Sequence, residues 1–329
     1  MQAWTCHSPT GVEALSWTET ATPKPKPGEA LIRIGAAGLN FPDLLIVQNK
    51  YQFKPEPPFV PGAEFAGVIE ALGEGVQSFR VGQAVACLAG IGGFATYATV
   101  DARLLMPLPD GVPMADAAAL IMTYGTSYHA LRDRAHLQPG ETLLVLGAAG
   151  GVGTAAIQLG KALGARVIAA ASSDAKCALC KRLGADETIN YGAFAQPGEM
   201  REVIKSLTDS QGVDVIYDPI GGPWAEPAFR SIAWRGRYLV IGFAAGQIPS
   251  LPLNLALLKG ASLVGVFYGA FAKHEPAANK AMLNELAGLY AQGQIKPVVD
   301  TCLPMQDLKH AYELLQSRSV LGKLVLLND

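Results

Sequence analysis

Between residues 143 and 267 the chain alternates short apolar runs with helical segments, and no other feature of the sequence restricts its fold as much. The apolar runs cover 143–146, 166–171, 187–190, 213–217, 237–241 and 262–267, each too short for a helix of normal length. Between them, helical patterns cover 151–163, 174–183, 200–207 and 224–232. Strands without polar alternation are buried on both faces, and strands separated by helices pair in parallel through crossovers. The expectation is an α/β fold with a doubly wound six-stranded parallel sheet, the size of a complete dinucleotide-binding sheet.

The first of these runs leads into Gly147-Ala148-Ala149-Gly150-Gly151-Val152-Gly153, a glycine-rich turn between strand and helix. Glycines lacking Cβ let a backbone approach a pyrophosphate, and the free N–H groups of the helix start point at its charge. Ala149, Gly150, Gly151, Val152 and Gly153 are therefore candidate cofactor contacts. The spacing Gly-x-x-Gly-x-x-Gly departs from the common G-x-G-x-x-G, and such a turn also serves tight strand-to-helix packing. The surrounding six-strand pattern favours the phosphate reading.

The second strand ends in Ser172-Ser173-Asp174-Ala175-Lys176. A site for NAD places a carboxylate at this tip to accept from the ribose hydroxyls, whereas Ser172, Ser173 and Lys176 can donate to a 2'-phosphate. NADPH is the expected cofactor. Asp174 argues the other way, unless it caps the following helix.

Outside this region the first third is rich in Pro, Gly and β-branched residues, with candidate strands over 29–34, 65–72 and 83–88, and reads as a compact β unit. A length of 329 residues suggests two domains. After the sixth strand come a helix over 277–291, an extended piece over 297–299, a helix over 305–315 and a strand over 323–327. This tail is too short to hold its own core and is expected to pack on the N-terminal unit. A net charge of -2 without a basic run gives no field for nucleic acid. The N-terminus lacks the pattern of a secretory leader, no long apolar stretch spans a membrane, and five cysteines suit a reducing compartment, so a cytoplasmic protein is expected.

Several segments together resemble the zinc-free NADPH:quinone oxidoreductase branch of the medium-chain dehydrogenase/reductase superfamily. They are Gly38-Leu39-Asn40-Phe41-Pro42-Asp43, Pro61-Gly62-Ala63-Glu64-Phe65-Ala66-Gly67, Thr123-Tyr124-Gly125-Thr126, the 148–153 turn, Ile189-Asn190-Tyr191, Asp218-Pro219-Ile220-Gly221-Gly222 and Gly322-Lys323. The resemblance implies a GroES-like β-rich catalytic domain made from both chain ends, 1–122 and 269–329, with a Rossmann domain over 123–268. It places Asn40 beside the nicotinamide, Thr126 on the cofactor, Lys176 and Tyr191 on the 2'-phosphate, and Gly242 and Phe243 along the nicotinamide ring. Phe267 and Arg318 are further cofactor contacts on the same basis, and Tyr51 stands at the substrate mouth. Where zinc-dependent relatives carry a ligand Cys and a ligand His, this chain has Asn40 and Ala63, which supply neither thiolate nor imidazole. No metal is expected.

Hydride transfer needs positioning more than a protein nucleophile. Asn40, Asp43 and Tyr51 are the candidate catalytic neighbourhood; for Asp43 a backbone-holding role in a turn is an equal reading. Cys177-Ala178-Leu179-Cys180 has redox spacing but lies in a helical pattern, and His129 reads as a hydrogen-bonded packing residue. The expected activity is reduction of a quinone. The alternatives are reduction of activated C=C bonds in enones or acrylates, and an NADPH-binding sensor or structural protein with little turnover. An apolar strand over 262–267 at the sheet edge suggests a homodimer.

Overall fold

The structure is a computed structural model and describes residues 1–328. The chain forms two compact units, one of Met1–Met122 with Pro297–Asp329 and one of Thr123–Lys296.

The first unit opens with an antiparallel pair, β1 (Gln2–Cys6) and β2 (Leu15–Glu19). Then come β3 (Glu29–Leu39), β4 (Glu64–Leu72), β5 (Ala84–Leu88), β6 (Tyr97–Asp101) and β7 (Leu105–Pro107). β3 is mostly buried and pairs with β4 and β6. Two short helices, Phe41–Val47 and Met114–Ala117, interrupt what the sequence reads as an all-β segment.

The second unit holds β8 (Thr142–Val145), β9 (Arg166–Ala171), β10 (Glu187–Asn190), β11 (Val213–Asp218), β12 (Ile232–Val240) and β13 (Ser262–Gly265). All are parallel, in the order β10-β9-β8-β11-β12-β13. The direction of winding reverses between β8 and β11, the switch point at which such sheets bind ligands. Leu144, Leu146, Ile168, Ile189, Ile216 and Tyr238 fill the core of this unit. Each fully buried side chain of this size contributes about 1.5–3 kcal/mol. Two strand boundaries of this unit differ from expectation by more than one residue. β12 begins at Ile232, inside the expected helix, because Ile232 pairs with Val213 before the chain passes through Arg235 at φ 61°. β13 stops at Gly265, two residues short.

Back in the first unit, β14 (Val299–Pro304) and β15 (Lys323–Leu327) complete a seven-stranded sheet in the order β14-β15-β3-β4-β5-β7, with β6 also on β3. The helix Leu308–Ser317 adds Leu308, Ala311 and Tyr312 to a core with Ile32, Ile34, Phe65 and Phe94. The tail expected to return from 269 does so only from Pro297. Residues 269–296 stay with the parallel sheet, because Tyr128 Oη donates to Glu285 (3.0 Å) and Tyr268 Oη to Asn279 (3.0 Å). Gln158 also holds both the N–H (2.7 Å) and the carbonyl (3.0 Å) of Lys296.

Candidate cofactor cradle and a buried polar network

In the second unit the candidate residues collect at the C-terminal ends of the parallel strands. The turn after β8 delivers the chain into helix Gly151–Ala162, whose N-cap is Gly150 and has no side-chain cap. The first helical hydrogen bond runs from Thr154 N to Gly150 O (2.8 Å), so the amides of Gly151, Val152 and Gly153 precede the ladder. Three N–H donors outside the ladder at the positive end of a twelve-residue helix have the chemistry that an anion requires. The two glycines that frame it do different work. A Cβ on Gly153 would lie 2.5 Å from Gly147 O and 2.7 Å from Ala148 Cα, so this position is closed by backbone, whereas at Gly150 the nearest atom is 3.4 Å away. Ser127 Oγ donates to Val152 O (3.0 Å) and meets Tyr217 Oη (2.8 Å), bracing the turn from below. Thr126, its neighbour, is buried. Sequence reasoning missed Ser127 and Tyr217, whose partners are far apart in the chain.

At the tip of β9, Ser173 Oγ accepts from Lys176 N and is the N-cap of helix Asp174–Arg182. Asp174 is therefore not the cap; its carboxylate accepts from Asn190 Nδ2 (2.7 Å). Lys176 Nζ lies 3.2 Å from Ser172 Oγ. The turn after β10 packs so closely that a methyl on Gly192 would lie 2.2 Å from Ser172 O, which brings Tyr191 beside the same tip, its ring against Trp224 (4.7 Å between centroids). Ser172 and Lys176 thus pair at this tip, with the turn that carries Tyr191 packed against it. After β11, Asp218 accepts from Ile220 N and Gly221 N (2.8 Å each) and from the Tyr238 hydroxyl. The loop after β12 sits on that turn through Ala244 N to Pro219 O (3.1 Å) and Ala245 N to Ile220 O (2.9 Å), which fixes Gly242 and Phe243. Phe267 follows β13 and is about half exposed, 52%.

In the first unit, strand register gathers residues distant in sequence. Gly38 on β3 faces Glu64 on β4, and Leu39 faces Leu324 on β15, so Asn40, Glu64 and Lys323 converge. Lys323 Nζ donates to Leu39 O (2.9 Å), Asn40 Oδ1 (2.6 Å) and Glu64 Oε2 (3.3 Å). Asn40 Nδ2 donates to Gly38 O and Glu64 Oε2 (3.1 Å each), and Glu64 Oε1 accepts from Met122 N (2.8 Å). All three side chains are buried. Asp43 is fully buried, with one carboxylate oxygen on Asn40 N (2.8 Å) and the other on Ala63 N (2.9 Å). It stitches the start of helix Phe41–Val47 to the segment before β4. Burial pushes its carboxyl up to about 7, against the pull of those two amides and of Lys323. Tyr51 packs partly buried on the same core, and burial followed by the Asp43 charge raises its hydroxyl. Arg318 ends helix Leu308–Ser317 in the left-handed region, φ 57°. The signal for Lys323 was present: it is the one charged residue in Lys-Leu-Val-Leu-Leu, and a charge in a buried strand requires a partner.

Cys177 and Cys180 are buried thiols inside their helix, and burial raises both. That environment favours packing over redox exchange. His129 bonds Asp133 (3.0 Å) and stacks on Phe271 at 4.0 Å, as a packing residue does.

Residues 26–110 match the alcohol dehydrogenase GroES-like domain family and residues 151–288 the zinc-binding dehydrogenase family. Quinone oxidoreductase-like protein 2 of Bos taurus is 37% identical over 94% of this chain and 88% of its own length. The chain belongs to the quinone oxidoreductase branch of the medium-chain dehydrogenase/reductase superfamily. Among solved structures of this branch, the Thermus thermophilus quinone oxidoreductase, solved also with NADPH, superposes with a TM-score of 0.87 at 33% identity over both full chains. The Escherichia coli quinone oxidoreductase complexed with NADPH gives 0.91 at 28%, again over both full chains. Since one matching family is described by zinc, the ligand positions need testing against the structure. Asn40 has its oxygen on an ammonium and both amide hydrogens engaged, and Ala63 offers only a methyl. Among the described residues no three His, Cys, Asp or Glu side chains converge as a metal site. A divalent cation at Asn40 would face the Lys323 charge, so these residues do not fit zinc.

Proposed function

We propose that this oxidoreductase binds NADPH at the strand tips of the parallel sheet and reduces a quinone without zinc. The observation that carries the reading is the uncapped helix start at Gly150, with Ser172 and Lys176 paired at the neighbouring strand tip and the turn of Tyr191 packed against it. The amides of Gly151, Val152 and Gly153 take the pyrophosphate. Ser172 and Lys176 take the 2'-phosphate, and Tyr191 walls that corner. Asp174 is occupied by Asn190, which directs its carboxylate into the protein's own hydrogen bonding. Bound NADPH supplies a hydride to the acceptor. Thr126, Gly242, Phe243 and Phe267 complete the proposed cofactor contacts of this unit; Arg318 is carried on the resemblance alone. Asn40 and Tyr51 are the proposed acceptor-side residues. Asp43 serves by holding Asn40, since both of its oxygens are taken by backbone amides. The relatives named as quinone oxidoreductases support the choice of acceptor.

The proposal extends to a homodimer formed through β13. Its edge carries Leu263, and the surface also exposes Trp234, Leu253, Leu257 and Leu258. A parallel edge with this much uncovered apolar surface suits pairing with a second copy. The five unpaired cysteines suit a reducing, cytoplasmic setting, and among the described residues no helix is long and apolar enough to cross a membrane.

The deciding experiment gives purified protein NADPH or NADH with quinones, enones and acrylates, before and after dialysis against a chelator. Rapid NADPH loss with quinones, unchanged by the chelator, is expected. Turnover of enones only would move the activity to C=C reduction, and tight NADPH binding without turnover of any acceptor would make the chain a binding protein. Activity restored by added zinc would end the metal-free part of the proposal.

A further inference from the structure

The hydrogen-bond inventory of Asn40 is closed on one side. A carboxamide has two N–H donors and two acceptor lone pairs. Both donors are engaged, by Gly38 O and Glu64 Oε2, and the oxygen accepts from the Lys323 ammonium at 2.6 Å, with the Asp43 N–H of the helix capping box beside it. Lys323 in turn has three hydrogens and three acceptors, and Glu64 accepts from Asn40, Lys323 and Met122 N. An ammonium donates only, so it fixes which end of the amide is oxygen. Reversing the Asn40 amide would set NH2 against the ammonium and oxygen against a carboxylate and a carbonyl.

We propose that Lys323 and Glu64 are positioning residues that lock the Asn40 carboxamide in one orientation, with its oxygen on the ammonium and its NH2 on the carboxylate. The role deepens the proposed quinone reduction and rests on it for the kinetic readout, although the lock itself is independent of the acceptor.

The test labels the protein with 15N-asparagine and follows the Asn40 side-chain NH2 pair, assigned by its loss in Asn40→Ser. In the wild type this pair should exchange with solvent far more slowly than exposed asparagines. Lys323→Met should speed that exchange and lower kcat on the order of 10–100-fold, the scale of a misplaced site group, with KM for NADPH little changed. Lys323→Arg, which keeps the charge and the donors, should move both readouts back toward the wild type. Removing Lys323 alone leaves the Glu64 carboxylate buried and unpaired, so the neutral double variant Lys323→Met/Glu64→Gln is measured beside it. There the carboxamide introduced at position 64 keeps its oxygen on Met122 N, so its nitrogen faces the Asn40 donors and turns the Asn40 amide over. The rate loss should persist, with an altered Asn40 resonance. A wild-type Asn40 pair that exchanges like a surface asparagine overturns the proposal. So does a folded variant of either kind with undisturbed kcat and resonance. A locked Asn40 pair in a protein that turns over no quinone would sink the quinone reading and leave the lock standing.

Discussion

Lys176 and Asp43 show how single residues divide the work between recognition and support. Lys176 meets Ser172 at the tip of β9. Lys176→Ala should weaken NADPH binding about tenfold, a loss of about 1.4 kcal/mol, while NADH binding stays put. Fluorescence titration with both dinucleotides checks this, and equal losses for the two would remove Lys176 from the 2'-phosphate. Asp43 makes its own prediction through pH. Its carboxyl is raised from 3.8 to about 7 by burial, so within that window the native state holds a proton that the unfolded chain has released. Stability from this group is present below the lower value and is lost as pH rises through the upper one. The melting temperature of the wild type, taken relative to Asp43→Asn, should fall between those two pH values and level off above. A difference that is flat with pH would mean that Asp43 does not titrate in that range. Asn40, Asp43 and Lys176 were all legible in the sequence as motif positions. What each bonds was not, because Lys323 reaches Asn40 and Glu64 across most of the chain and only strand register brings them together.

Elements carry the next level of meaning, and the glycine turn is the clearest case. At Gly153 a methyl would collide with backbone atoms of 147 and 148, which cannot move aside, whereas at Gly150 it would meet the nearest atom at 3.4 Å. Gly153→Ala should therefore lower stability by about 1–3 kcal/mol through overpacking. Gly150→Ala should melt as the wild type does and yet bind NADPH poorly, because a methyl there takes space that a phosphate approaching the helix start needs. Thermal melts paired with cofactor titration separate the two; a Gly150→Ala variant with full affinity would mean that the phosphate does not approach there. The run of glycines was readable as a turn, as were the six strands, since short apolar runs between helices leave few other folds. The placement of helix Pro276–Ala291 was not readable. Its hold on the second unit comes from Tyr128 and the short helix Tyr268–His274, and nothing local in its sequence names those partners.

At the scale of the whole molecule, the edge of the parallel sheet makes a prediction about assembly. Wild-type protein should sediment as a dimer at micromolar concentration, and Leu257→Asp with Leu263→Asp should shift it to monomer without loss of the fold, since both side chains are exposed, at 80% and 40%. A monomeric wild type would end the dimer proposal. The order of the sheet in the first unit has a different consequence, one for the chain as it leaves the ribosome. The unit of Thr123–Lys296 is a single stretch and can close as soon as it emerges. The other unit has to wait, because the inner half of β3 takes its partner from β15, which is made only after the whole of the parallel unit: Ala36 pairs with Leu327, Ala37 with Leu326, Gly38 with Val325 and Leu39 with Leu324. Until those pairs form, the Glu64 carboxylate has no ammonium beside it, and that stretch of β3 has an open edge. A nascent chain halted before Lys323 should thus carry a finished parallel sheet and an unfinished first unit, the state in which it most needs a chaperone.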